Sequence, residues 1–124
     1  MLAAVAAWSA GAHAAGCENL ASASTPQIQI LLAQTVAGSF TPPDGGAALQ
    51  QLPQFCRVVV RLKPTPDSDI GAEIWLPAKW NTKLLAIGNG GWGGGLDFGS
   101  MAAAVRRGYA ASVTDDGHTG RGGG

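Results

Sequence analysis

The chain has 124 residues, with eight Lys or Arg balanced by eight Asp or Glu, so its formal net charge is zero. This length allows one domain at most, and without a basic cluster we expect no binding to nucleic acid or to a membrane surface. The 19 Gly and 7 Pro residues separate apolar runs, which is typical of turns in a folded domain and not of a disordered chain.

The first fifteen residues, most of them Ala, are typical of a secretory signal peptide. They end in Ala12-His13-Ala14, a small-residue cleavage pattern, although no Lys or Arg precedes the apolar stretch. We therefore predict a signal peptide at 1–15, a mature chain from residue 16, and a secreted or periplasmic protein. The alternative is an Ala-rich helix of the mature fold, whereas a membrane span would need about 20 apolar residues.

The two cysteines, Cys17 and Cys56, are interpreted in the context of export. An oxidising compartment favours a disulfide between an even pair. It would close a loop of about 40 residues and contribute roughly 4 kcal/mol in the chain-entropy model. Two cysteines and scattered histidines are too few for a metal site, and lipid attachment at Cys17 is a minor alternative.

Three β-strands are predicted in the first half of the mature chain. Alternating apolar residues from Gln27 to Phe40 favour a strand over a helix, and a Pro- and Gly-rich break follows. The segments Phe55–Leu62 and Ile70–Leu76 are rich in β-branched and apolar residues, and a turn composition separates them. They predict an antiparallel hairpin.

The second half of the chain predicts a βαβ unit. Its parts are a short apolar strand of the fully buried type, a glycine loop, a helix and a second buried strand: Lys83–Ile87, Gly88–Gly95, Phe98–Arg107 and Tyr109–Val113. Gly108 is a natural residue to end the helix, whose apolar face holds Met101, Ala102 and Val105. The predicted fold class is α/β: an N-terminal hairpin and the first βαβ unit of a mixed, incomplete sheet.

The glycine loop leaves backbone N–H groups open to the close approach of a negative oxygen. One candidate chemistry is dinucleotide binding, because Gly88-x-Gly90-x-x-Gly93 has the required spacing and Asp115 or Asp116 follows the next strand. Another is an oxyanion hole, in which a loop N–H stabilises the tetrahedral intermediate of ester hydrolysis. The third is a plain surface turn, since six glycines in eight residues satisfy many spacings by chance.

Short motifs spread in order over nearly the whole mature chain carry a resemblance to a known family. They are Ala37–Phe40, Leu52–Val58, Leu62–Ile70, Glu73–Pro77, Trp80–Lys83, Gly88–Gly91, Arg106–Ala110 and Thr114–Gly120. Taken together, they resemble the start of the tannase/feruloyl esterase family of secreted α/β-hydrolases.

The resemblance implies a Ser–His–Asp hydrolase that cleaves esters of phenolic acids through an acyl-enzyme. Residues 16–124 would be the N-terminal part of the catalytic domain, a partial α/β-hydrolase fold in which Cys17 pairs with Cys56. The family's serine follows a cysteine, a Cys-Ser motif that is missing here, as is Gly-x-Ser-x-Gly. The triad and a lid domain with a calcium site would lie downstream, so we expect no nucleophile and no cofactor in this chain. The partner of the complete enzyme would be a small aromatic ester.

The candidate site residues lie in the glycine loop. Gly90 and Gly91 are the candidates for the oxyanion N–H, and Asn89 is expected to shape the turn and to contact substrate. Trp92 either lines the pocket for the aromatic acid or caps the loop against the sheet.

Five polar residues outside the loop are further candidates for catalytic groups. We expect His118 to have a structural role or to support a residue of the site. Asp115 and Asp116 are expected to cap their loop, and the alternative is that they act as acidic partners in catalysis. Ser100 and Ser112 lack the sequence context of a nucleophile.

Two further hypotheses remain open beside the esterase. The chain could be a short secreted binding or non-functional protein that keeps half of the sheet, or it could bind a dinucleotide through the glycine loop. A sheet ending on the apolar strand Ala110–Val113 would expose a buried-type edge, so we expect the isolated chain to be insoluble or molten.

Overall fold

The computed structural model describes residues 16–121, so the predicted signal peptide at 1–15 lies outside the described residues. A short 3₁₀ helix, Cys17–Ala23, comes first. The main elements are β1 (Ile28–Phe40), β2 (Leu49–Leu62), β3 (Ile70–Pro77), β4 (Leu84–Ile87), α1 (Phe98–Arg106) and β6 (Ala110–Thr114). Two short strands, β5 (Gly93–Gly94) and β7 (Gly120–Arg121), pair with each other. No helix within residues 16–121 has the length and apolar character needed to cross a membrane.

The main sheet has five strands in the order β1-β2-β3-β6-β4, and it is mixed. Strands β2 and β3 form the predicted antiparallel hairpin, with Cys56 opposite Leu76 and Leu62 opposite Ile70. Strand β1, which the alternating pattern favoured over a helix, is also present and pairs antiparallel with β2. The predicted α/β class with a mixed sheet is therefore confirmed.

Strand β2 begins six residues earlier than predicted. Its first part pairs with the end of β1, where Gly38 lies opposite Leu52 and the register shifts on both sides of that pair. Gly38 and Gln51 both have positive φ angles, 81° and 57°. These irregularities interrupt the two-residue period of a regular strand, which is why the sequence pattern did not show this part of β2.

The predicted βαβ unit is also confirmed, because β4 runs parallel to β6 with α1 between them in the chain. Helix α1 ends as predicted at Gly108, whose φ is +81°. The N–H of Gly108 donates to the carbonyl of Val105 at 2.9 Å, and the N–H of Tyr109 donates to that of Ala104 at 3.1 Å. This pair of bonds is the Schellman arrangement, which satisfies carbonyls that the helix end would leave unpaired.

The core lies between the sheet and the apolar face of α1, where Met101, Ala102 and Val105 are fully buried as predicted. From the sheet, the Trp75 ring stacks on Phe55 with 4.4 Å between ring centroids. On the same face of β3, the Glu73 side chain is buried but not isolated. Its carboxylate accepts hydrogen bonds from Arg57 and from the Trp75 indole N–H.

The cysteine pair forms the disulfide that was predicted, with 5.5 Å between the Cα atoms of Cys17 and Cys56. It links the 3₁₀ helix to the middle of β2. Since the sulfur of Cys17 is bonded to Cys56, it is not available as a lipid attachment point.

Two predictions about the edge of the sheet were wrong. Strand β4 is not buried on both faces: among residues 16–121 it pairs only with β6, and Leu84 is 63% exposed. Conversely, Ala110–Val113 does not form the edge, because β6 lies between β3 and β4. The physical reason is the crossover through α1, which returns the chain to the inner side of β4.

The exposed β4 edge gives a prediction for the chain expressed alone. We expect it to be largely insoluble, because apolar side chains and unpaired backbone groups of β4 meet those of other copies. Leu84→Lys should increase the soluble fraction after expression, whereas Leu31→Lys, at a 58% exposed site on the opposite edge, should not. A soluble monomer with a sharp cooperative thermal transition in the unmodified chain would contradict this prediction.

Candidate functional site

The glycine loop and the segment after β6 lie together at one end of the sheet. Since β4 and β6 are adjacent and parallel, the loops that leave their carboxyl ends are neighbours. This is the position at which open α/β sheets bind ligands.

Asn89, the second residue of the glycine loop, is bonded to the end of β6. Its side-chain nitrogen donates to the carbonyl oxygen of Thr114 at 2.8 Å and to Oδ2 of Asp116 at 2.9 Å. Asp116 has a φ of +56°, and its Oδ1 accepts the Thr114 hydroxyl at 2.7 Å. Hydrogen bonds from Thr114 and Asn89, with a smaller contribution from the charge of His118, lower the pKa of Asp116 below its ordinary value.

A second set of contacts holds the other end of the glycine loop. The Nε2 atom of His118 lies 3.1 Å from the carbonyl oxygen of Trp92, so His118 has the structural contact that was expected for it. The β5–β7 pairing follows directly. A Cβ atom at Gly94 would lie 2.1 Å from the carbonyl oxygen of His118, so a residue with a side chain does not fit there.

Gly90 and Gly91 lie between these two attachment points. Both residues are exposed, and Gly91 has a φ of +63°, which favours glycine. A turn is closed by the N–H of Gly93, which donates to the carbonyl of Gly90 at 3.2 Å. Within residues 16–121, neither the N–H of Gly90 nor that of Gly91 donates a hydrogen bond. Such N–H groups can donate hydrogen bonds to a negatively charged oxygen of a ligand.

Two of the remaining polar candidates, Asp115 and Ser100, have structural contacts. Asp115 Oδ1 accepts the N–H of Gly71 at 2.9 Å and that of Gly117 at 2.8 Å, which confirms its predicted capping role. Ser100 donates its backbone N–H and its hydroxyl to Asp97, the residue at the start of α1.

The start of α1 disfavours the dinucleotide hypothesis. The Asp97 carboxylate accepts the N–H of Ser100 at 2.9 Å, and hydrogen bonds from Ser100 lower the pKa of Asp97 below its ordinary value. A negative charge therefore lies where the pyrophosphate of a dinucleotide would bind, at the N-terminus of the helix. Asp116, a candidate for the ribose contact, is already bonded to Asn89 and Thr114.

The idea that Trp92 caps the loop against the sheet was wrong. Its side chain is 86% exposed. A ring exposed to this extent covers no part of the sheet. The role of Trp92 as a pocket-lining residue stays a prediction.

Three surface clefts of the described residues lie away from the glycine loop. Their volumes are about 360, 250 and 650 Å³, and they are lined by residues outside that loop. In the same part of the chain, no three His, Cys, Asp or Glu side chains gather where they could hold a metal ion.

Sequence reasoning missed two residues that hold the loop. Thr114 was regarded only as the first residue of the polar segment after a strand, and Gly94 only as one glycine among many. Their roles depend on partners 24 or 25 residues away in the chain. The Thr-Asp-Asp-Gly-His sequence after a buried strand was the available signal, since such a polar run lies at the carboxyl end of a parallel strand.

The chain is similar to known proteins in sequence and in fold. An uncharacterized esterase of Xanthomonas campestris is 45% identical over 106 residues, covering 84% of this chain and 18% of the relative. A probable feruloyl esterase B-1 of Aspergillus terreus is 35% identical over 104 residues, which cover 78% of this chain and 20% of the relative. The match to the crystal structure of feruloyl esterase B from Aspergillus oryzae covers 86% of this chain and 22% of that enzyme's chain. The TM-score is 0.76 and the sequence identity is 27%.

This chain spans about a fifth of the length of the curated relatives it matches. The family model described as tannase and feruloyl esterase matches residues 56–123, which is more than half of the chain. The chain belongs to the tannase and feruloyl esterase family.

Proposed function

We propose that this chain is the N-terminal part of an exported carboxylic ester hydrolase that cleaves esters of phenolic acids. The observation that carries the proposal is the pair of exposed N–H groups at Gly90 and Gly91, in a loop held at the carboxyl end of β4. Family membership supports ester hydrolysis as the reaction, and the feruloyl esterases among the relatives support a phenolic acid as the acyl group. The Cys17–Cys56 disulfide supports an oxidising compartment.

The proposed mechanism is acyl transfer on an α/β-hydrolase fold, with the nucleophile in the rest of the polypeptide. A serine hydroxyl gives its proton to a histidine and attacks the ester carbonyl carbon, which produces a tetrahedral oxyanion. The N–H of Gly90 or Gly91 donates to that oxygen, together with the N–H of the residue after the serine. The alcohol then leaves with the proton, and water hydrolyses the acyl-enzyme.

The test begins with the coding sequence beyond the codon for Gly124. By the complete polypeptide we mean this chain with the coding sequence that continues from it. We expect this sequence to encode a Cys-Ser motif, and the purified polypeptide to hydrolyse methyl ferulate and to be inactivated by a serine-directed phosphate ester. A stop codon after Gly124, or absence of hydrolysis over a panel of aryl esters, would contradict the proposal.

Replacing Trp92 tests whether it contacts the aromatic acid. We expect Trp92→Ala to raise KM for methyl ferulate by about 2- to 10-fold, because an aromatic contact contributes roughly 0.5–1.5 kcal/mol. The value of kcat should change little, and KM for a short aliphatic ester should not change. The matched control is Trp80→Ala, which removes another exposed indole, outside the glycine loop. An equal loss for aromatic and aliphatic esters would contradict the role of Trp92.

A further inference from the structure

Two groups of contacts fix the glycine loop on either side of Gly90 and Gly91. Before them, the Asn89 side chain is bonded to the end of β6 and to Asp116; after them, the Trp92 carbonyl lies within hydrogen-bonding distance of His118. The two glycines themselves have no side chain that could fix them. Their N–H directions are therefore set by the attachment points at the two ends.

The attachment at Asn89 depends on Asp116. A side-chain amide nitrogen has two protons, and Asn89 directs one to the Thr114 carbonyl and the other to Asp116 Oδ2. The main-chain carbonyl cannot be removed by substitution, but it is a single acceptor. The carboxylate provides the second acceptor and thereby fixes the rotation of the Asn89 amide about its Cβ–Cγ bond.

Asp116 is itself held in place, although it is exposed and lies outside both buried clusters. Its other carboxylate oxygen accepts the Thr114 hydroxyl at 2.7 Å, and its backbone adopts a φ of +56°. Asp and Asn are enriched in that left-handed conformation. Because Asp116 is exposed and is not part of the core, replacing it should remove the contact with the loop without lowering the stability of the fold.

We propose that Asp116 is a positioning residue, which acts through Asn89 to hold the backbone N–H groups of Gly90 and Gly91 in the direction of the oxyanion. This inference deepens the proposed function and depends on it for its catalytic part. Asp116 does not touch the reacting atoms. Its contribution is the pre-organisation of a donor before charge develops on the substrate.

The test compares Asp116→Ala, Asp116→Asn and a control in the complete polypeptide, with methyl ferulate as the substrate. We expect Asp116→Ala to lower kcat by about 10- to 100-fold, since a small displacement of a catalytic group has effects of this size, and to leave KM within about twofold. Asp116→Asn should restore most of kcat, because its amide oxygen can still accept from Asn89 and Asn tolerates the left-handed conformation. Asp67→Ala is the matched control, since Asp67 is also exposed and accepts a threonine hydroxyl in a turn.

A second measurement makes the inference testable without catalysis. In Asp116→Ala we expect faster hydrogen exchange at the amide of Gly93, which donates to Gly90, with no change in peptides from β2 and β3. If the unmodified polypeptide hydrolyses no ester but this exchange increases, the proposed function fails and the positioning contact stands. If Asp116→Ala keeps kcat within twofold, or exchange at Gly93 is unchanged, the inference on Asp116 is overturned.

Discussion

Removal of the correct backbone N–H in the glycine loop is expected to lower kcat for aryl ester hydrolysis by about 10²- to 10³-fold, the loss found when one oxyanion donor is removed. The change is made by placing glycolic acid at position 90 or 91, which turns the peptide N–H into an ester oxygen and adds no side chain. Gly91 has a φ of +63°, so substitution by Ala or Pro would strain the turn as well as alter the donor. The ester substitution avoids that ambiguity.

The positions at which kcat falls, and the response of KM, test the role of the loop together with the size of the loss. We expect the large loss at one or both of positions 90 and 91, with KM nearly unchanged, since the bond forms with charge that develops in the transition state. Glycolic acid at position 95, in the same loop, is the matched control and should leave kcat within a few-fold. Full activity at both 90 and 91 would contradict the proposed role of the loop.

The second large effect concerns stability. We expect Glu73→Ala to lower the free energy of unfolding by about 3–5 kcal/mol, because removing one partner of a buried ion pair leaves the other charge without compensation. Glu73 is 1% exposed, and it is the shared acceptor for Arg57 and for the Trp75 indole N–H at 2.8 Å. Urea unfolding of the complete polypeptide, followed by tryptophan fluorescence, measures the change.

The same hairpin supplies a matched control for Glu73. Arg61 and Asp69 form a second Arg–carboxylate pair at 2.8 Å, but their side chains are 47% and 52% exposed. Asp69→Ala should therefore cost less than about 1 kcal/mol. Adding Arg57→Met to Glu73→Ala should recover part of the lost stability, since the unpaired charge is removed. Equal losses of unfolding free energy in Glu73→Ala and Asp69→Ala would show that burial does not determine how much each ion pair contributes to stability.

The order of the elements could be predicted from the sequence because each has a local signal. The hairpin was predicted from two β-branched runs around a Pro- and Asp-rich turn, and the end of α1 from Gly108, which takes the left-handed conformation a helix end needs. The identity of the edge strand of the main sheet could not be predicted in this way. Lys83–Ile87 has the composition of a buried strand, and only the strand order shows that β4 has one neighbour in the described residues.

The candidate site was predicted less completely than the fold. A glycine-rich loop after a strand indicates bare N–H groups, but many ligands suit such a loop, and the choice among them came from family resemblance. The contacts of Asn89 with Asp116 and of Gly94 with His118 join residues more than 20 positions apart. No local pattern encodes such contacts, and none encodes the exposure of Trp92.

The most direct test of the proposed oxyanion loop is a crystal structure of the complete polypeptide after reaction with diethyl 4-nitrophenyl phosphate. This reagent leaves a tetrahedral phosphoryl group on a nucleophilic serine, with an oxygen at the position of the oxyanion. We predict that this oxygen lies about 2.7–3.1 Å from the backbone nitrogen of Gly90 or Gly91. An adduct whose oxygen is bonded elsewhere, with both nitrogens beyond hydrogen-bonding distance, would contradict the assignment of the glycine loop to catalysis.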